Sequence, residues 1–128
     1  MNEPSISSKI PIIKLGHYLL VPIQVDMTDY MVADLQTSVL AAIDRTGAKG
    51  VLIDISVLEM FDSFIGRTLS DIARMAAVMD AAVVIVGMQP AVAITLVELG
   101  LEMTGIDYAL NIERGMTLLN QRLRETDT

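Results

Sequence analysis

Cysteine and tryptophan are absent from the 128-residue chain, and histidine occurs once. Without thiols there can be no disulfide, no thiolate nucleophile and no sulfur-ligated metal, and a reducing compartment suits the chain. Aromatic residues make up only 4% of the sequence, which leaves no platform for stacking nucleic-acid bases. Bases are scarce as well. Nine Lys and Arg stand against sixteen Asp and Glu, for a net charge of −7 and a pI near 4.4. That balance argues against nucleic acid and against an anionic membrane surface. The opening residues lack the apolar centre of a signal peptide. The longest apolar run, near residues 81–88, falls well short of the roughly 20 residues that a bilayer span needs. A soluble, cytoplasmic protein with no nucleic-acid partner and no membrane partner is expected.

What the chain does have is aliphatic bulk. It is 52% hydrophobic, with nine Met available to fill irregular gaps in a core. The length suits one domain, expected over residues 9–128 behind a flexible polar tail at residues 1–8. Residues 10–15 and 18–24 read as two antiparallel strands around a Gly16-His17 turn, with Pro11 and Pro22 placing both near a sheet edge or a bulge. A helix starting between Asp26 and Asp29 carries Met31, Leu35, Val39 and Ile43 at helical spacing and ends at Gly47. Residues 51–55 and 82–86 are short β-rich runs of the kind covered on both faces of a sheet. Between them, Ile65, Leu69, Ile72, Ala76 and Met79 form one apolar helical stripe, while Arg67, Asp71 and Arg74 mark a wet face on which Arg67 and Asp71 can pair. A helix over residues 90–99, a strand over 108–110 and a helix over 113–124 complete the order β-β-α-β-α-β-α-β-α. That order predicts an α/β fold, a largely parallel sheet with covering helices.

The most informative local feature is Asp62-Ser63, where strand and loop give way to the second helix. A hydroxyl there sits beside unpaired backbone N–H groups and the positive end of the helix dipole, and such a place receives a phosphate well. Asp and Ser are also favoured helix caps, so capping is the plainer reading of the pair. A second turn, Gly87-Met88-Gln89-Pro90, follows the next strand, and parallel strands bring both turns to the same end of the sheet. It is either simple turn chemistry or part of the same surface. A partner reading Ser63 would then also meet Glu59, Asp62, Phe64, Met88 and Gln89.

Catalysis has little support. His17, alone in a hairpin turn, reads as solvated, although a meeting with Ser63 in space is conceivable. Neither a phosphate-loop motif nor a dinucleotide fingerprint occurs. Asp54, at a strand end, reads either as a contact for Mg²⁺ or a hydroxyl, or as a cap on its own loop. No nucleophile comes with a base. No catalytic residue, metal ligand or cofactor is therefore expected, and the chain reads as something acted upon.

Four stretches carry a family resemblance: residues 10–15, 46–51, 60–65 (Met60-Phe61-Asp62-Ser63-Phe64-Ile65) and 87–100. In them the chain resembles the STAS domains of bacterial anti-sigma-factor antagonists, and among these the RsbS branch, the small scaffold of the stressosome. Antagonists of the SpoIIAA type continue Asp-Ser with a small residue and then Gly. Here Phe64 and Ile65 intervene before Gly66, which favours the RsbS branch.

The resemblance implies a STAS fold, with a four- to five-stranded mixed sheet and about four helices. It implies that Ser63 is a phosphoacceptor for an RsbT-type serine kinase. That kinase would be held by the unmodified chain and released on phosphorylation. An RsbX-type phosphatase would reset the site, and RsbR-type STAS paralogues would co-assemble with the chain into a homo- or hetero-oligomer. Assembly faces are expected on the helix bearing Arg67 and Arg74 and on the last helix. The alternative is a SpoIIAA-like anti-anti-sigma factor that binds an anti-sigma factor directly. An enzyme or small-ligand protein built on the turns near Asp54 and Gln89, and a transporter-linked STAS segment, are more distant readings.

Overall fold

The computed structural model describes residues 10–24, 28–100 and 105–127. The expected tail at residues 1–8 and the possible helix start at Asp26 lie outside them. The elements run β1 (Ile13–Leu15), β2 (Tyr18–Pro22), α1 (Asp29–Thr46), β3 (Gly50–Asp54), α2 (Ser63–Val78), β4 (Ala82–Val86), α3 (Pro90–Glu98), β5 (Ile106–Ala109) and α4 (Ile112–Asp127). The five strands form one sheet in the order β1-β2-β3-β4-β5. Only β1 is antiparallel to its neighbour; β2 to β5 run parallel.

Strand alternation assigns the two faces. Leu19, Val21, Val51, Ile53, Val83 and Ile85 point to one side, where they meet Leu35, Val39 and Ile43 of α1, Leu69, Ile72 and Ala76 of α2, and Val92 of α3. The alternate residues Tyr18, Leu52, Val84 and Val86 meet Leu119 of α4. Right-handed crossovers between sequential parallel strands put α1, α2 and α3 on the same face, which leaves α4 to cover the other. Both faces of β3 and β4 are thus buried, which is why these strands are unbroken apolar runs. Each fully buried Leu or Ile here contributes about 1.5–3 kcal/mol.

Several boundaries differ from expectation. β1 begins at Ile13, not residue 10, and β2 ends at Pro22. β2 is also internal rather than at the edge. The β1–β2 register pairs Ile13 with Leu20, so two residues further on it would oppose Pro11 to Pro22. Neither proline has an N–H to donate, and the pairing stops short of them. On its other side β2 stays paired with β3 as far as Asp54. β5 starts at Ile106, two residues before the expected strand. α4 starts at Ile112, where the Asn111 Oδ1 accepts the Arg114 N–H at 2.9 Å. In α1 the buried stripe is Val32, Leu35, Val39, Ala42 and Ile43; Val32 takes the place expected for Met31. On α2, Asp71 pairs with Arg74 instead of Arg67.

Among the described residues no helix is long and apolar enough to cross a membrane.

Candidate functional site

The carboxyl ends of β3 and β4 build the site. After Asp54 the chain turns sharply: the Asp54 Oδ1 accepts the Ser56 N–H at 2.9 Å, and the Ile55 N–H donates to the Val86 carbonyl at 3.0 Å. Asp54 therefore holds its own loop, the plainer of its two readings. Ile55, Leu58 and Phe61 are buried at three-residue spacing and peg the loop to the core. The residues between them face outward. Met60 is 82% exposed and Val57 48% exposed, with Ser56, Glu59 and Asp62 beside them.

Asp62 caps α2. Its Oδ1 accepts the Ile65 N–H at 2.8 Å, and its carbonyl accepts the Gly66 N–H at 3.0 Å. Such a cap stabilises a helix by about 1 kcal/mol. Capping thus falls to Asp62 and leaves the hydroxyl of Ser63, the first helical residue, on the exposed surface. The backbone N–H groups of that first turn face the same end. An anion attached to Ser63 meets the positive end of the α2 dipole, already partly answered by the Asp62 carboxylate.

The second turn is joined to the first. Gln89 occupies the cap position of α3, and its Nε2 donates to the Ser56 carbonyl at 2.7 Å. Gly87 (φ 78°) lets the two loops close: a Cβ there would lie 2.9 Å from the Ser56 Cβ and 3.1 Å from the Asp54 Oδ1. Met88 is half-buried against the three-helix core, and Phe64 is half-buried in the first turn of α2. Of the expected surface, Glu59, Asp62 and Ser63 stand together and exposed, while Met88 and Gln89 chiefly support the loops behind them.

His17 is elsewhere. Its carbonyl accepts the Lys49 N–H at 2.8 Å, at the start of β3, whereas Ser63 follows the end of that strand. Five strand residues, about 13 Å, separate the two ends. A Ser63–His17 pair is therefore ruled out. Among the described residues no group of three or more His, Asp or Glu is arranged to hold a metal ion. Sequence reasoning missed Val57 and Met60. Their signal was the three-residue spacing of Ile55, Leu58 and Phe61, which leaves the intervening apolar residues outside.

A model of the STAS domain matches residues 9–113. The chain belongs to the STAS-domain family. Solved STAS structures agree. A Ser-to-Glu variant of RsbS from Moorella thermoacetica is 38% identical, with a TM-score of 0.79 over 90% of this chain and 97% of that one. A chain from a structure described as the molecular architecture of the stressosome, a signal integration and transduction hub, is 39% identical, with a TM-score of 0.77 over 89% of this chain and 99% of that one. A Thermotoga maritima protein at 14% identity and a TM-score of 0.67, covering 87% of this chain and 94% of its own, shares the fold. The search of curated proteins gave no match. The five-stranded mixed sheet with four helices is the STAS architecture expected from the sequence.

Proposed function

We propose that this STAS domain is an RsbS-type scaffold subunit of a cytoplasmic stressosome, a binding module switched by phosphorylation of Ser63. The observation that carries the proposal is the exposed Ser63 hydroxyl at the mouth of α2, beside a cap made by another residue. Likeness to RsbS and to a stressosome component supports the scaffold role.

In the unmodified chain, exposed Val57 and Met60 offer an apolar surface beside Ser63, with Glu59 and Asp62 setting its charge. An RsbT-type kinase docks there, with Phe64, Met88 and Gln89 shaping the floor. The Ser63 Oγ attacks the γ-phosphorus of ATP; its proton passes to a base of the kinase, and ADP leaves. The new group carries about −1.5 to −2 charges and three strong acceptor oxygens. Placed among Glu59 and Asp62, it repels the docked surface, and the kinase departs. A coupling of about 1–3 kcal/mol lowers affinity roughly 5–150-fold, with no refolding of the domain. An RsbX-type phosphatase restores the hydroxyl, and RsbR-type paralogues share the assembly.

The test is mass spectrometry of the chain after incubation with the cognate kinase and Mg-ATP. One phosphate on Ser63, and none in Ser63→Ala, is the expected result. No phosphate, or a phosphate confined to another residue, contradicts the proposal.

A further inference from the structure

Arg67 is the one feature of the exposed α2 surface near Ser63 that the proposed switch leaves unused. The sequence offers it Asp71, yet Asp71 is taken by Arg74. Arg67 is exposed and makes no ion pair among the described residues. It is the only Lys, Arg or His in residues 50–73, and residues 75–113 contain none. α1, packed against α2, carries Asp29 and Asp34 in its first two turns and no base there. The loop before Ser63 and the first turns of α2 thus carry Glu59, Asp62 and the cation of Arg67, and the neighbouring helix adds acids but no base in its first two turns.

Helix geometry brings that cation to one place. Ser63 opens α2 and Arg67 lies four residues on, so the two share a face with Cβ atoms about 5–6 Å apart. Helical side chains lean toward the helix N-terminus, which aims the long Arg67 side chain at the turn that holds Ser63. An acid four residues before a base is also the favourable order. Arg67 before Asp71 is the weaker order, in keeping with Asp71 turning to Arg74.

We propose that Arg67 is the intrachain counter-ion of phosphorylated Ser63. Its guanidinium forks onto two phosphate oxygens and holds the group against the first turn of α2. The inference rests on the phosphoacceptor reading above. The pair exists only in the modified chain, because no anion among the described residues engages Arg67 before then. It offsets the repulsion of Glu59 and Asp62, and it presents the phosphate in one orientation to the enzyme that removes it.

Phosphoserine installed at position 63 by codon expansion requires no kinase, so this test stands apart from whether any kinase acts on the chain. Phosphorus-31 NMR of the full chain reads the second ionisation of the phosphate, ordinarily near pH 6. With Arg67 present, the midpoint lies lower than in Arg67→Gln by about 0.3 pH unit or more. Arg67→Lys recovers part of the difference, Arg74→Gln leaves the midpoint in place, and about 1 M salt shrinks the gap. Unphosphorylated Arg67→Gln melts at the parent's temperature. Equal midpoints in the parent and Arg67→Gln overturn the proposal, as does a drop of the same size caused by Arg74→Gln.

Discussion

Gly87 is where two loops of different origin are forced together. Its φ of 78° and the Ser56 Cβ, 2.9 Å from where a side chain would begin, both exclude a larger residue. Gly87→Ala should lower stability by about 1–3 kcal/mol, read as a fall in the urea midpoint with the slope unchanged. It should also disturb the Gln89–Ser56 hydrogen bond behind the site. Retained stability would show that the turn is looser than its geometry. At this scale the sequence was legible where a residue's chemistry admits few uses. Asp62-Ser63 before an apolar helical stripe reads as a helix start, and the structure divides the pair's labour: Asp62 caps and Ser63 stays open. Met60 was harder to read, because a Met beside Phe61 passes for core unless Ile55, Leu58 and Phe61 are first taken as the buried set.

Among the elements, α4 covers one whole face of the sheet and depends on close approach. Gly115 lies so near β3 and β4 that a Cβ would come within 2.6 Å of Leu52 and 2.8 Å of Val86. One turn further, Leu119 fills the space above Gly50, and Asn120 accepts a hydrogen bond from the Tyr18 hydroxyl. Burial pushes the Tyr18 phenol above its usual 10.0, against a smaller opposing pull from Arg124. The native chain then keeps a proton that the unfolded chain releases. Its stabilising contribution is full below the unfolded value and is lost as pH rises through the native one. Tyr18→Phe should therefore flatten the loss of stability above about pH 10, followed as urea midpoints across that range. Tyr108, also raised by burial, leaves a residual slope. An unchanged slope in Tyr18→Phe would remove Tyr18 from alkaline unfolding. β3 and β4 were readable because strands buried on both faces are apolar throughout. The short limits of β1 and β2 were not, since they follow from two prolines meeting across a register that only the pairing reveals.

For the molecule as a whole, charge is sorted from end to end. Among the described residues the carboxyl end of the sheet carries Asp54, Glu59 and Asp62, with Arg67 on α2 and Arg114 at the start of α4 as bases. At the amino end, charges of both signs meet: Lys49 lies 3.2 Å from Asp80, and Arg122 pairs with Asp107. A partner that docks at the acidic end should present a basic rim, and its arrival should be steered. Raising the ionic strength from about 0.05 to 0.5 M should slow association with the cognate kinase roughly tenfold, with a smaller effect on dissociation. A salt-independent association rate would place the docking surface elsewhere. The net charge was plain in the composition, but its sorting was not. Sorting depends on which loops emerge at which end, and the parallel order of β2 to β5 decides that.

The central claim is that one phosphate on Ser63 ends an interaction. Calorimetric titration of the cognate kinase with two forms of this chain, unmodified and phosphorylated at Ser63, tests it most directly. The account predicts that phosphorylation raises Kd about 5–150-fold. Equal Kd values for the two forms would contradict it.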